Sequence, residues 1–158
     1  MKVLLKIMFV CTGNVCRSPM AHYYMQKQVI AMGLGDDFLI ESCGTYAVSG
    51  EKATQNAQEV MKQFDVSLEK HRATNISETC IEEFDYIFAL TENHKQIILS
   101  IYPKLLGNVF TLKEFADPNT NYLDIDDPWG YSRDIYQSCA EEIVENVDKV
   151  IENLKGCE

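Results

Sequence analysis

Positive charge is scarce in this chain. Of 158 residues, 14 are Lys or Arg and 24 are Asp or Glu, a formal net charge of −10. So acidic a surface repels the nucleic-acid backbone, which argues against a general nucleic-acid binder. Long apolar runs are missing too, so no membrane partner is expected. The opening MKVLLKIMFVCTGN has the apolar character of a signal peptide. It runs into Gly13-Asn14-Val15-Cys16-Arg17 without a small-residue cleavage site, and reads instead as a buried strand of a cytoplasmic chain. No two cysteines are spaced C-x-x-C, and no Cys/His cluster has zinc-ligand spacing. The six cysteines, Cys11, Cys16, Cys43, Cys80, Cys139 and Cys157, therefore read as thiols and not as a disulfide framework. Cys80, Cys139 and Cys157 read as small residues packed in or near a core. Repeats, low-complexity tracts and linkers are absent, so residues 1–158 read as one domain.

What is present is an alternation of strands and helices. Val3 to Val10 is a nearly continuous apolar run, suited to a strand covered on both faces. Ser18 and Pro19 read as the N-cap and first residue of a helix that runs to about Met32. Phe38 to Cys43, Asp85 to Leu90 and Asn108 to Leu112 read as further strands. Helical periodicity covers Lys52 to Phe64, Glu92 to Ile101 and Ser132 to Leu154. In the last of these, Ile135, Cys139, Ile143, Val147, Val150 and Ile151 fall on or near one face. Ala116 to Gly130 reads as a loop rich in Asp, Asn, Pro and Gly. The expected fold is a parallel, doubly wound α/β sheet of four strands with helices on both faces.

The first strand meets the first helix in Cys11-Thr12-Gly13-Asn14-Val15-Cys16-Arg17-Ser18. Ligands of open α/β sheets bind outside the carboxyl ends of the strands, where this loop lies. It abuts a helix N-terminus, whose free N–H groups and positive dipole end attract an anion. Gly13 is expected to let the backbone curl so that successive N–H groups converge. The guanidinium of Arg17 can bind two phosphate oxygens at once. The same surroundings favour the thiolate of Cys11, which would sit beneath a caged phosphorus, poised for in-line attack. A tight turn with a merely buried cysteine is the bland alternative. It leaves unexplained why a thiol, a glycine, an arginine and a Ser-Pro pair share one loop.

The string CTGNVCRSP, with the Asp127-Pro128 loop and the final helix, resembles the low-molecular-weight protein-tyrosine phosphatase family over nearly the whole chain. The resemblance implies a flavodoxin-like fold, no metal or cofactor, and two-step hydrolysis through a phosphocysteine. It implies that residues 12–18 (Thr12, Gly13, Asn14, Val15, Cys16, Arg17 and Ser18) bind the phosphate. Cys11 is then the nucleophile, Arg17 clamps phosphoryl oxygens, and Ser18 eases departure of the Cys11 thiolate. Asn14, Ser42 and His71 match a polar network that holds the loop in shape, and Asp127 matches the general acid. The family pairs the position of Cys16 with the nucleophile in a reversible disulfide that shelters it from over-oxidation; a packing cysteine is the alternative. His22 stands where the family often has Glu and receives no catalytic role. His94 reads as a solvated helix position.

Asp127 also has a physical argument. A phosphate ester releases its leaving group poorly unless that group is protonated, and one carboxyl must supply the proton. Pro128 restricts Asp127 to an extended backbone. Asp124 and Asp126 compete for the role. Trp129, the only tryptophan, forms either a wall of the substrate cleft or part of the core.

Two branches of the family are mixed here. CTGN, RSPMA, GEKAT, HKQII, VFTLKE and the Asp-Pro-aromatic-Gly loop resemble the protein-arginine-phosphatase branch. Val15 departs from it: that branch has Thr there, and the tyrosine branch a bulkier aliphatic. Val and Thr are nearly equal in size, so the hydroxyl is the difference, and an apolar wall favours an aromatic ring over a guanidinium. Val15, Trp129 and the loop carrying Tyr46 and Val48 would surround the leaving group. The expected substrates are phosphorylated proteins bearing phosphotyrosine, with phosphoarginine as the alternative. A thioredoxin-coupled arsenate reductase needs a further pair of close cysteines, and Cys80 stands alone in its region. A non-catalytic phosphopeptide-binding module needs neither the thiol nor the Asp-Pro acid.

Overall fold

The computed structural model describes residues 3–156. Four parallel strands pair in the order β2-β1-β3-β4: β1 Leu5–Cys11, β2 Phe38–Gly44, β3 Tyr86–Ala89 and β4 Val109–Thr111. Five α-helices cover the sheet: α1 Arg17–Ala31, α2 Gln55–Met61, α3 Glu92–Ile101, α4 Leu112–Ala116 and α5 Arg133–Gly156.

The period-two geometry of strands divides the core in two. Ile7, Phe9, Cys11 and Phe88 face one side, where residues of α1, α2 and α5 such as Met20, Met25, Ala57 and Ile143 pack on them. Met8, Val10, Ile87 and Ala89 face the other, with Ile98 of α3 and Leu105. Residues Ile7 to Val10 are all fully buried, which is why β1 reads as an unbroken apolar run. It starts at Leu5, because Val3 and Leu4 are exposed. The chain leaves β1 in one direction for β2 and returns past it to β3. The carboxyl end of β1 is therefore the topological switch point, the expected place for a ligand.

Four local expectations are corrected. The Lys52 to Phe64 helix is α2 followed by a 3₁₀ turn, Lys62–Phe64. It starts late because Thr54 is its N-cap, with Oγ1 accepting from the Ala57 N–H. The predicted strand at Asn108 to Leu112 stops at Thr111, where a capping box with Glu114 opens the short α4. In α5, Ile135 is exposed and Tyr136 takes the buried position beside it. Cys80 is exposed and not packed in a core, while Cys139 is buried; Cys157 lies outside the described residues. Among the described residues, no helix is long and apolar enough to cross a membrane.

Candidate active site

The Cys11–Ser18 loop is shaped by bonds to its outward-facing carbonyls. The carbonyl oxygen of Cys11 accepts from the Thr45 N–H, that of Thr12 from Tyr46, and that of Val15 from Thr54. The carbonyl of Asn14 is bonded to His71 Nε2 at 2.7 Å. With the carbonyls turned out, the N–H groups of the loop turn inward, the arrangement of an anion nest. The left-handed residue that permits this curl is Asn14, with φ 56°, and not Gly13. Asparagine tolerates that conformation better than most residues, and here its side chain is fully used. Asn14 Oδ1 accepts from the Thr74 N–H at 2.9 Å, and Nδ2 donates to Ser18 Oγ at 2.7 Å.

The glycine that the loop requires lies on the neighbouring strand. A side chain at Gly44 would overlap the Thr12 carbonyl oxygen and crowd the Asn14 nitrogen at 3.0 Å. Nothing in the sequence near Gly44 marks it, because the contact forms only when β2 pairs with β1.

Ser18 is not the N-cap that Ser-Pro spacing predicts. Helix α1 begins at Arg17, and Cys16 at its N-cap makes no side-chain capping bond. The Ser18 hydroxyl instead lies 2.9 Å from Cys11 Sγ. Of the expected supporting network, Asn14 and His71 hold the loop, as described. Ser42 is bonded to His22 Nδ1 at 2.9 Å, and through it to a ring cluster in which His22 lies tilted on Tyr23 and Tyr23 meets His71 edge-on. Burial, and then the neighbouring His71, lower the His22 pKa to about 3, so this ring is a neutral partner. His22 thus belongs to the support beneath the loop.

Arg17 is buried, with Nη1 donating to the Ile125 carbonyl at 2.9 Å and Nη2 lying 3.6 Å from Asp127 Oδ2. Its Nε is buried without a protein partner, a donor available to an anion. The three acidic candidates separate clearly. Asp124 Oδ1 accepts from the Glu92 N–H at the start of α3, and Asp126 Oδ1 accepts from Tyr122 Oη. Asp127 alone of the three lines the cleft, half exposed, with Oδ1 accepting from the Trp129 N–H. The acid loop is docked by the Asp124 bond, by the Ile125 N–H donating to the Leu90 carbonyl, and by Arg17.

The cleft has a volume of about 310 Å³. Its floor is the loop from Cys11 to Arg17, and its walls are Tyr46, Val48, Glu51, Asp127 and Trp129. Trp129 is 64% exposed, which places it in the wall and not in the core. Among the described residues, no three of His, Cys, Asp or Glu come together as a metal site. Chemically, the arrangement offers a thiol beneath an array of anion-binding donors, with a carboxyl opposite.

The sequence profile described as "Low molecular weight phosphotyrosine protein phosphatase" matches residues 6–157. The chain belongs to that family. It is 37% identical to the protein-arginine-phosphatase of Bacillus subtilis (strain 168), over 94% of this chain and 96% of the relative. It is 35% identical to the low molecular weight protein-tyrosine-phosphatase PtpB of Staphylococcus epidermidis, over 92% and 96%. Among solved structures, a YwlE mutant from Bacillus subtilis aligns with TM-score 0.87 at 35% identity, over 96% of this chain and 99% of that one. The low molecular weight protein tyrosine phosphatase from T. tengcongensis aligns with TM-score 0.86 at 35% identity, over 94% and 98%. The protein is a phosphatase of this family, with its flavodoxin-like fold.

Two buried side chains beside the cleft also escape a reading of sequence alone. His94 reads as solvated, yet it is buried, with Nε2 2.8 Å from Thr12 Oγ1 and Nδ1 2.9 Å from Thr91 Oγ1. Tyr136 of α5 places its hydroxyl 3.2 Å from Cys16 Sγ and 3.1 Å from Thr54 Oγ1. Burial raises the pKa of the Cys16 thiol, against the lowering effect of these hydroxyls. The one signal available for His94 was Thr91, a helix N-cap three residues earlier.

Proposed function

We propose that this phosphatase hydrolyses phosphotyrosine in protein substrates through a phosphocysteine on Cys11. The observation that carries the choice of substrate is the wall of the cleft. Val15 lines the cleft, partly buried, and Tyr46, Val48 and Trp129 add apolar and aromatic surface. Such a surface suits a phenyl ring, and along it a guanidinium N–H finds no partner; Glu51 and Asp127 are the carboxylates elsewhere in the wall.

In the first step the Cys11 thiolate attacks phosphorus in line as the P–O bond breaks. Asp127 donates a proton to the departing phenolate oxygen. In the second step water attacks the phosphocysteine, Asp127 takes the water proton, and the S–P bond breaks. Throughout, the loop N–H groups and Arg17 hold the three non-bridging oxygens, over which the charge of the transferring group is spread in the transition state. We take residues 1–158 as one phosphatase domain. The free thiol that this chemistry needs fits a reducing cytoplasm. The net charge of −10 argues against a nucleic-acid partner.

A second reading, protein-arginine phosphatase, is favoured by the 37% identity to the Bacillus subtilis enzyme of that name. One measurement decides: kcat/KM for phosphotyrosine and phosphoarginine peptides, with Cys11→Ser as the control for contaminating activity. A higher value for phosphotyrosine supports the proposal, and a higher value for phosphoarginine replaces it with the second reading.

A further inference from the structure

We infer that His94 is a positioning residue of the phosphatase site: held by Thr91, it fixes the hydroxyl of Thr12 and turns that hydroxyl's own proton into the cleft. The ring of His94 is 2% exposed and bridges the N-cap of α3 to the nucleophile loop. Burial, and then the charge of Arg17, lower its pKa to about 4, against the opposing influence of Asp127 and Asp124. The neutral ring therefore carries a single N–H, and the surrounding bonds decide which nitrogen holds it.

Thr91 Oγ1 already accepts the backbone N–H of His94 at 3.1 Å. Its own hydrogen finds an acceptor in Nδ1, at 2.9 Å. The ring hydrogen then lies on Nε2 and is donated to Thr12 Oγ1 at 2.8 Å. The opposite tautomer would leave the half-buried Thr91 hydroxyl with a hydrogen and no acceptor among the described residues. Thr12 is exposed and lines the cleft, so with its oxygen accepting from His94 its hydrogen is offered to the substrate.

This gives the cleft a second selective element. A hydroxyl held as a donor matches the bridging ester oxygen of a tyrosyl phosphate. The N–H groups of a phosphoguanidinium need an acceptor there instead. That part of the inference rests on the phosphotyrosine reading; the positioning of Thr12 does not.

The test is a set of variants assayed on para-nitrophenyl phosphate and on a phosphotyrosine peptide. Thr12→Val and His94→Leu should each lower kcat/KM about tenfold, the scale of one hydrogen bond. The double variant should be no worse than either single one. His94→Gln keeps an N–H donor where Nε2 stood and should stay within about twofold of the parent, whereas His94→Asn, whose amide stands at Nδ1, should fall with His94→Leu. Equal losses in His94→Gln and His94→Leu, or losses that multiply in the double variant, would overturn the inference in favour of plain packing. Should His94→Leu fail to fold, the Gln and Asn variants are compared in the Thr12→Val background. There they must be equal, and a difference overturns the proposal. A parent enzyme that turns over para-nitrophenyl phosphate but not the phosphotyrosine peptide overturns the substrate reading alone, while the His94 comparison proceeds on the small substrate.

Discussion

Ser18 Oγ lies 2.9 Å from Cys11 Sγ while accepting the Asn14 amide hydrogen at 2.7 Å. With that lone pair used, the serine hydrogen is free to point at sulfur, and its other acceptor, the Cys43 carbonyl, is farther away at 3.5 Å. The hydroxyl is thus set to donate to a thiolate, and Asn14 sets it. In the proposed mechanism the thiolate is regenerated in the second step, so Ser18 should matter most there. Ser18→Ala is expected to slow hydrolysis of the phosphocysteine about ten- to a hundredfold, the worth of a hydrogen bond to a charged group. Rapid-quench assays should then show more phosphoenzyme at steady state. A variant slowed with no rise in phosphoenzyme would place the role of Ser18 in the first step.

The nucleophile and the acid are tested separately. Cys11→Ser should abolish turnover and still bind vanadate, because a serine hydroxyl does not ionise there without a base. Asp127→Ala should slow hydrolysis by about 10²–10⁴, the scale of general-acid catalysis. The loss should be greatest for leaving groups that need a proton. Asp126→Ala should be mild, since Asp126 is engaged by Tyr122. Equal losses for all leaving groups with Asp127→Ala would remove it from the acid role.

The order of the strands and of the four longer helices was legible because each has its own period and punctuation, whereas the five-residue α4 was not read. Ile7 to Val10 could only be a doubly covered strand, and that reading puts the Cys11 to Ser18 loop at the carboxyl end of β1, where it is found. What was missed at His94 and Tyr136 has one cause, contact between distant segments. The burial of His94 depends on Thr12, 82 positions earlier, and the bond from Tyr136 to Cys16 spans 120 positions. Ser18 was misread because a local rule for helix caps competes with a tertiary bond to Cys11, and the tertiary bond wins. Gly13 was credited with a curl that Asn14 makes, since glycine is only the commonest of the residues that enter the left-handed region.

Cys16 offers a redox prediction. It is buried, protonated by preference, and held by Tyr136 and Thr54. Mild peroxide should oxidise Cys11 to the sulfenic acid, and attack by the Cys16 sulfur would then form a disulfide and release water. Activity should return with a thiol reductant. Cys16→Ser should keep activity but lose it irreversibly to peroxide. Mass mapping that pairs Cys11 with Cys43 instead would reject Cys16 as the resolving thiol.

Acid should destabilise the fold in a defined window. His22 and His94 have pKa values lowered to about 3 and about 4, first by burial, and His71 is lowered for the same leading reason. All three bind protons more weakly in the folded chain than in the unfolded one, where histidine titrates near 6.5. Below that pH the unfolded state takes up protons that the folded state refuses. Stability is therefore full above about pH 6.5 and falls as the pH drops toward the folded values, by at most about 1.4 kcal/mol per pH unit for each histidine. Urea unfolding between pH 7.5 and 5 should show this slope. His22→Asn, which keeps a donor for Ser42, should flatten it by one proton's worth, and an unchanged slope would mean that His22 is protonated in the fold.

Selectivity should turn on Val15. In the proposed mechanism the loop N–H groups and Arg17 hold the phosphoryl group alike in phosphotyrosine and phosphoarginine, so they would not discriminate. Val15 is held in the wall by its carbonyl, which accepts from the Thr54 N–H at 3.0 Å, and this tie survives any change of side chain. Val15→Thr exchanges one methyl for a hydroxyl at nearly constant volume, without disturbing the loop. The hydroxyl gives a guanidinium N–H an acceptor that the methyl withholds. The ratio of kcat/KM for phosphoarginine over phosphotyrosine peptides should rise about tenfold, since a satisfied hydrogen bond in a dry site is worth about 1–3 kcal/mol. Both peptides must be assayed on parent and variant, because a drop in phosphotyrosine activity alone would also move the ratio. A ratio that stays fixed shifts selection to Tyr46, Val48, Glu51 and Trp129. Of these Glu51 is then the first to change, because a carboxylate in the cleft wall is the other acceptor that a guanidinium can meet.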